Sequence, residues 1–220
     1  MIDYPGKVSC VLFISGCNFD CPYCYNPDLA RGKPSVVLDP RRVFDFLKRR
    51  KSFLDGVVLS GGEPTLNKGL FTLCSKIKRL GYPVKLDTNG SRPQVIQRLL
   101  NEGLIDYIAM DIKTDPFNYS AFIQKDCDPE QILSSIQTIM KSTIAYEFRT
   151  TCVKPLVNET VIESIARRIE GSMLYALQRF KNVTVLHPEF FQNRPCGFTD
   201  ADLAHFKSVV DSRVKACIIR

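Results

Sequence analysis

Short apolar runs of strand-like composition alternate with helical patterns of apolar residues along almost the whole chain of 220 residues. Because a strand followed by a helix returns to pair in parallel with the next strand, this alternation restricts the fold to the α/β class. Six strand–helix units of about thirty residues each are too few for a closed eight-stranded barrel. We therefore predict a partial (β/α)6-type barrel of parallel strands, open laterally and formed by a single domain over residues 1–220.

The same patterns give the expected positions of the elements. We predict strands at residues 7–15, 56–60, 83–87, 106–113, 146–153 and 172–180, and a last strand at 214–219. We predict helices over residues 41–50, 70–80, 95–100, 132–140, 161–169 and 203–210, the last capped by Thr199 or Asp200. In such barrels the chemistry lies at the carboxyl ends of strands, so functional motifs should follow strands directly.

Charge and cysteine content limit the compartment. Thirty Lys and Arg residues against twenty-three Asp and Glu give a net charge of +7, and there are nine cysteines. The N-terminus does not read as a signal peptide, and no apolar run approaches the roughly 20 residues that span a bilayer. We therefore expect a cytoplasmic protein without a membrane partner, with its thiols reduced. Four cysteines in apolar stretches are expected in the core: Cys10, Cys74, Cys152 and Cys217.

Three further cysteines form the most specific motif of the chain. Cys17, Cys21 and Cys24 follow the first predicted strand with the spacing CxxxCxxC, in a loop rich in turn-forming residues. Thiolates clustered in this way can converge on a soft metal. A structural zinc site needs four ligands, and Cys127 or Cys196 could supply the fourth after folding. With three ligands only, an iron–sulfur cluster would keep one iron open to a substrate.

Three other motifs also follow predicted strands. Ser60-Gly61-Gly62-Glu63-Pro64 ends the second strand, Asp87-Thr88-Asn89-Gly90 the third and Met110-Asp111-Ile112-Lys113 the fourth. Paired glycines let backbone approach a ligand closely, and the carboxylate of Glu63 can accept a hydrogen bond from an ammonium group. Each motif taken alone is also compatible with an ordinary turn or strand end.

Together these motifs resemble the radical S-adenosylmethionine superfamily, whose cysteine motif has an aromatic residue, here Tyr23, before the third cysteine. The third and fourth motifs resemble the activating enzymes of glycyl-radical proteins. The resemblance implies one 4Fe-4S cluster on Cys17, Cys21 and Cys24, the catalytic residues, and S-adenosylmethionine as cofactor. It also implies cofactor-binding residues; we assign these to Tyr23, Gly61, Gly62, Glu63, Pro64, Asp87, Asn89, Asp111, Lys113 and Arg149. Finally, it implies a monovalent cation held by Asp87, Thr88, Met110 and Asp111.

From Ile2 to Phe180 the chain is similar to the short activating proteins of anaerobic ribonucleoside-triphosphate reductase. Tyr25 stands where relatives commonly have His, and the cysteine-rich insertion of some activating enzymes is absent, so we expect one cluster. The resemblance implies an oxidoreductase that reductively cleaves S-adenosylmethionine to a 5′-deoxyadenosyl radical. This radical would install a glycyl radical on a partner enzyme, here expected to be anaerobic ribonucleotide reductase.

Other functions remain open from the sequence. A radical enzyme could act on a small molecule such as a deazapurine precursor, or on RNA, and a metal-binding or electron-transfer module would need no catalysis of its own. The basic run Lys48–Lys51 is a solvated helix end or a docking site for an acidic electron donor such as flavodoxin or ferredoxin. A nucleic acid partner is not expected, because the chain has no aromatic-interleaved basic stripe. His187 and Gln178 could reach the site, whereas His205 is expected on a helix surface.

Overall fold

A computed structural model describes residues 3–119, 123, 128–181, 183–191 and 195–220. Seven strands form one all-parallel sheet in which the spatial order follows the chain order. The strands are β1 (Ser9–Ile14), β2 (Gly56–Gly61), β3 (Val84–Thr88), β4 (Tyr107–Asp111), β5 (Ala145–Cys152), β6 (Tyr175–Arg179) and β7 (Cys217–Ile219). Within the described residues β1 and β7 do not pair with each other. The predicted partial barrel, open on one side, is confirmed.

Within the described residues, seven helices connect the strands. They are α1 (Pro27–Ala30), α2 (Pro40–Arg49), α3 (Leu70–Arg79), α4 (Pro93–Asn101), α5 (Pro129–Met140), α6 (Glu159–Arg168) and α7 (Asp200–Val210). Thr199, not Asp200, caps α7: its hydroxyl accepts from the Asp202 amide, and the Asp202 carboxylate accepts from the Thr199 amide. In the described part of the chain, no helix is both long and apolar enough to cross a membrane.

The sequence patterns missed four short helical segments. These are α1 and three 3₁₀ helices at Pro64–Leu66, Pro116–Asn118 and Pro188–Phe191, and every one of them begins with a proline. Proline fixes φ near the helical value and lacks the N–H that a first turn leaves unbonded, which explains the position. The segments are too short for apolar periodicity to show them.

The two faces of the sheet have different chemistry. Residues such as Val57, Leu59 and Phe148 belong to the main core, to which the buried faces of α2 to α7 also contribute. The alternate residues form a separate small cluster in which Tyr4, Val58, Tyr107 and Ala109 pack together. Lys85 on β3 is in register with Tyr107, and Glu147 on β5 with Ala109, so charged side chains continue this inner face. Cys74, Cys152 and Cys217 are buried as predicted, whereas Cys10 is half-buried.

The carboxyl ends of β1 and β2 lie in close backbone contact, and two glycines of β2 and its following turn make this approach possible. Gly61 has φ +115°, and a Cβ there would lie 2.4 Å from the carbonyl oxygen of Ile14. A Cβ on Gly62 would lie 2.1 Å from the carbonyl oxygen of Gly16. Because the backbones approach so closely, the Gly62 amide donates to the Ile14 carbonyl oxygen at 2.7 Å and the Glu63 amide donates to the Gly16 carbonyl oxygen at 2.8 Å. The glycines therefore let the second motif lie directly against the start of the cysteine loop.

This contact predicts that Gly62→Ala destabilises the fold. The added methyl group meets backbone atoms that cannot rotate away, so we expect a loss of about 1–3 kcal/mol in the free energy of unfolding. Urea denaturation followed by circular dichroism measures this loss.

Gly197→Ala is the matched control, because a Cβ there meets nothing within 4 Å. It should change the stability by less than about 0.5 kcal/mol. Equal stabilities of the two variants would show that the contact between β2 and the cysteine loop is not as tight as described.

Candidate active site

A cavity of about 450 Å³ lies at the carboxyl ends of the strands. It brings together residues from the cysteine loop and from the ends of six strands. Those predicted from the sequence that line it are Cys17, Cys21, Tyr23, Cys24, Gly61, Gly62, Asp87, Thr88, Asn89, Asp111, Lys113, Arg149 and Gln178. Glu63, Pro64 and Met110 were also predicted, but their side chains are buried and do not line the cavity.

The cysteine loop is held in place from two sides. On one side, the amides of Gly16 and Cys17 donate to the carbonyl oxygens of Leu29 and Ala30 at the end of α1. On the other, the amides of Leu186 and His187 donate to the carbonyl oxygens of Cys24 and Pro22, both at 3.1 Å. The loop is thereby fixed to elements that lie far apart in the sequence, and its three cysteines face one cavity.

The three thiols are free, as are the other cysteines in the described residues. Burial raises the pKa of Cys21 to about 12 and that of Cys17 to about 11, although Lys113 acts in the opposite direction on both. Thiols with such pKa values hold their protons at neutral pH. Iron binding must therefore release protons, since the thiolate is the ligand. Within the described part of the chain, no three His, Cys, Asp or Glu side chains are placed to hold a single metal ion.

The sequence predicts that the Glu63 carboxylate accepts a hydrogen bond from a ligand's ammonium group. In the structure, Glu63 does not line the cavity. Its side chain is buried, and both carboxylate oxygens already accept hydrogen bonds from the protein. One oxygen accepts from the amide and hydroxyl of Thr65, at 3.0 and 2.5 Å, and from the hydroxyl of Thr88 at 2.8 Å. The other accepts from the amide of Asn89 at 2.6 Å. Burial raises the pKa of Glu63, and these four donors counteract it.

Asn89 continues this network to the cysteine loop. Its side-chain amide donates to the Asn18 side-chain oxygen at 3.0 Å and lies 4.0 Å from the sulfur of Cys17. Asn18 in turn donates to the hydroxyl of Ser91 at 2.9 Å. The ends of β2 and β3 and the cysteine loop are thus joined by side chains whose polar atoms are mutually satisfied.

Charged side chains of both signs line the inner face of the barrel below the cysteine loop. Asp111 accepts from Arg149 Nε at 2.6 Å and from Lys113 Nζ at 2.9 Å. Burial alone would raise the pKa of Asp111, but Arg149 and Lys113 hold it well below its usual range. Burial alone would lower the pKa of Lys113, but Asp111 raises it. The Asp111 carboxylate is therefore ionised and Lys113 protonated across the neutral range.

The sequence patterns missed three members of this charged group: Lys85, Glu147 and Arg220. Glu147 is fully buried and accepts from both terminal nitrogens of Arg220, at 3.0 and 2.6 Å. Lys85 is fully buried beside Asp87. Burial lowers the pKa of Lys85, and the carboxylates of Asp87 and Glu147 act against that lowering. For Lys85 and Glu147 the available signal was a charged residue within a strand, two positions before another charged residue, whereas no such spacing marks Arg220.

Tyr23 lines the cavity and carries a buried hydroxyl without a hydrogen-bond partner among the described residues. The Lys113 ammonium lies 6.0 Å from the centre of its ring. An unsatisfied buried hydroxyl is costly unless a ligand or water completes it, so we expect a polar partner for Tyr23 that the described residues do not supply.

The remaining predicted residues are placed as follows. Tyr25 reaches across the cavity mouth, where its ring stacks on Phe180 and its hydroxyl accepts from the Lys181 amide at 2.8 Å. His187 contacts the cysteine loop through Asp20 and does not line the cavity, and exposed His205 pairs with Glu159 on the surface. Cys196 is partly buried, and Cys127 lies outside the described residues.

Lys51, at the end of the basic run Lys48–Lys51, donates to the Gly81 carbonyl oxygen at 2.8 Å and lies 4.1 Å from the centre of the Tyr82 ring. Part of this run therefore stabilises the end of α2.

Comparison with known proteins now defines the class. Residues 11–168 match the Radical SAM superfamily. A Methanocaldococcus jannaschii protein with the provisional name glycyl-radical enzyme activating enzyme is 39% identical over 196 residues, which cover 86% of this chain and 80% of its own length. The chain therefore belongs to the radical S-adenosylmethionine superfamily. Membership implies a 4Fe-4S cluster and S-adenosylmethionine, and the three-cysteine cavity fits both.

Two more distant similarities agree with this class. A pyruvate formate-lyase-activating enzyme of Listeria monocytogenes is 34% identical over 126 residues, 51% of this chain and 49% of its own length. The crystal structure of Streptococcus suis SuiB bound to S-adenosylmethionine has the same fold over 99% of this chain, with a TM-score of 0.73 at 14% identity. This chain spans about half the length of each of these two proteins.

The three-cysteine site predicts which substitutions abolish iron binding. Cys17→Ala, Cys21→Ala and Cys24→Ala should each lose the cluster, which carries about four irons and four sulfides per chain in the reconstituted wild type. Iron and sulfide analysis after anaerobic reconstitution measures this.

Cys196→Ala serves as the control, because it also removes a partly buried free thiol and should retain the full iron content. Loss of iron from this variant, or from Cys127→Ala, would contradict the three-ligand assignment.

The contact between His187 and the cysteine loop predicts a pH dependence of stability. Hydrogen bonds to Asp20, and secondarily to Glu189, raise the pKa of His187. A histidine with a raised pKa stabilises the fold fully below its unfolded pKa of about 6.5, and this stabilisation is lost as the pH rises through the folded value. Thermal unfolding between about pH 6 and about pH 8 should therefore show a larger fall in Tm for the wild type than for His187→Gln. An equal fall in Tm with pH for the wild type and for His187→Gln would show that the charge of His187 does not stabilise the loop.

Proposed function

We propose that this protein is a glycyl-radical enzyme activating enzyme whose partner is anaerobic ribonucleoside-triphosphate reductase. The observation that carries the proposal is the convergence of three free cysteines, the Gly61-Gly62 backbone and an ionised Asp–Lys–Arg group on one cavity. The similarity to the M. jannaschii relative over most of both chains supports the activating role. The choice of partner rests on the resemblance from Ile2 to Phe180.

Three cysteines would hold the cluster and leave one iron for the ligand. Cys17, Cys21 and Cys24 are the thiolate ligands, and the backbone of Gly61 and Gly62 lies beside them in the cavity wall. When bound, the cluster supplies the electron that cleaves S-adenosylmethionine to methionine and a 5′-deoxyadenosyl radical, which takes a hydrogen atom from the substrate. No side chain has to act as a general base, in agreement with a chain of only two histidines.

The charged inner face would orient the cofactor. We assign the cofactor's carboxylate to Lys113 and Arg149, since the two cations face the cavity and carry more positive charge than Asp111 balances. We assign the nucleoside to Tyr23 and Asn89, which both line this cavity. Holding both ends of the ligand would fix its orientation in the cavity that Cys17, Cys21 and Cys24 line.

The shape of the barrel would protect a reactive intermediate and still admit a large partner. Tyr4 and Tyr107 fill the amino-terminal end of the inner face, with ring centres 5.7 Å apart. The cavity wall runs from Asn26 and Ala30 near β1 to Lys181 and Arg220 near β6 and β7, so it spans the open side. A glycine-bearing loop of a partner enzyme could enter there, and an acidic donor such as flavodoxin or ferredoxin would supply the electron to this basic protein.

Product analysis tests the proposal. Reconstituted and reduced protein should convert S-adenosylmethionine to 5′-deoxyadenosine, and Cys21→Ala should form none. With anaerobic ribonucleotide reductase from the same genome, electron paramagnetic resonance should show a glycyl radical on the reductase.

Each alternative function has its own result in this experiment. If no 5′-deoxyadenosine forms under any condition, the remaining interpretation of the protein is an electron-transfer or metal-binding module. If 5′-deoxyadenosine forms without a glycyl radical on the reductase, and a deazapurine precursor or RNA is converted, that molecule is the substrate and the reductase is not the partner.

A further inference from the structure

The four residues predicted to hold a monovalent cation have most of their side-chain donor atoms engaged by the protein itself, and of their side-chain oxygens only Oδ2 of Asp87 has no partner among the described residues. Asp87 accepts from Lys85 Nζ and lies 3.5 Å from Arg149 Nη1. Both oxygens of Asp111 are bonded, one to Arg149 and the other to Lys113. The two carboxylates, which are the charged members of the predicted set, are thus paired with cations of the protein itself.

The side chains of the two uncharged members, Thr88 and Met110, already contact other parts of the protein. The hydroxyl of Thr88 donates to Glu63 at 2.8 Å and accepts from the Gly90 amide at 3.1 Å. Met110 is fully buried in the main core, where its side chain packs against Gly90 so closely that a Cβ added to this glycine would lie 2.8 Å from the Met110 Sδ. A cation held by all four side chains would have to break an ion pair, a hydrogen bond and a core contact.

Lys85 is placed to take over the electrostatic role of such a cation. It lies on β3 two residues before Asp87, so both side chains point to the inner face of the barrel. Its side chain is fully buried, its Nζ contacts the Asp87 carboxylate, and the ring centre of Tyr107 is 5.8 Å from that nitrogen. The ammonium therefore pairs with Oδ1 of Asp87, a residue that lines the cavity, and Oδ2 of the same carboxylate has no partner among the described residues.

The charge balance of the inner face leads to the same result. Three carboxylates, of Asp87, Asp111 and Glu147, are interlinked with four cations. The cations are Lys85, Lys113, Arg149 and Arg220. The group already has a net charge of +1, which suits the carboxylate of a ligand. One more cation in the same low-dielectric space would meet this surplus positive charge.

We propose that the ammonium group of Lys85 supplies the positive charge that a monovalent metal ion would otherwise supply beside Asp87, so that this protein binds S-adenosylmethionine without such an ion. The proposal rests on the proposed function only for the identity of the ligand.

Ligand affinity measured in different salts tests the proposal. The Kd of reconstituted protein for S-adenosylmethionine is measured by equilibrium dialysis in tetramethylammonium, sodium and potassium chloride at equal ionic strength. We expect the three values to agree within about threefold, equivalent to less than about 0.7 kcal/mol. Tighter binding by more than this factor in sodium or potassium would overturn the proposal.

A neutral variant tests the role of Lys85 itself. Lys85→Met keeps the length of the side chain and leaves Asp87 without its closest cation. Its affinity for S-adenosylmethionine should fall in tetramethylammonium chloride and recover in potassium or sodium chloride. An affinity that does not respond to the metal ions would show that Lys85 is not their substitute.

Thermal unfolding of the metal-free protein gives a second readout that needs no cluster and no reaction. The Tm of Lys85→Met should rise when potassium chloride replaces tetramethylammonium chloride, and that of the wild type should not. Lys78→Met is the matched control, because it removes an ion pair with Asp106 that is about one third exposed and lies away from the cavity. A wild-type Tm that rises with potassium as much as that of Lys85→Met would overturn the proposal, and failure to form 5′-deoxyadenosine would not affect it.

Discussion

The site depends on one buried carboxylate. Glu63 is removed from water at the end of β2, and a buried carboxyl group without hydrogen-bond partners is costly. Its four hydrogen-bond donors come from its own turn and from the end of β3, so the two strand ends cannot separate without leaving this group unsatisfied. Asn89 extends the connection to the cysteine loop. The loop that would carry the cluster is therefore positioned by the same network that closes the turn after β2.

The close approach of β1 and β2 is the second half of this arrangement. Because Gly61 and Gly62 have no side chains, the amides of Gly62 and Glu63 reach the carbonyl oxygens of Ile14 and Gly16. The paired glycines thus serve the packing of backbone on backbone as well as any approach of a ligand. Backbone contacts set the position of the loop, and the charged inner face below it is free to determine what the cavity binds.

The fold and most of the site were predictable from the sequence, because both follow from local patterns. Strand–helix alternation predicts the parallel sheet, and four motifs that follow strands, the cysteine motif among them, meet at one edge of it. The role of Glu63 was not predictable, since whether a carboxylate faces a cavity or a neighbouring turn depends on how strand ends pack. The pairing of Glu147 with Arg220 joins residues 73 positions apart, and no spacing in the chain indicates it.

The most direct test of the account is the effect of S-adenosylmethionine on the reduced cluster. If three cysteines hold the cluster and the fourth iron is open, binding of the ligand at that iron would change the electronic environment of the cluster. The electron paramagnetic resonance spectrum of the reduced, reconstituted protein should then change on addition of S-adenosylmethionine. A spectrum that stays the same while equilibrium dialysis shows S-adenosylmethionine to be bound would contradict the account, because the iron would then have no open position facing the ligand.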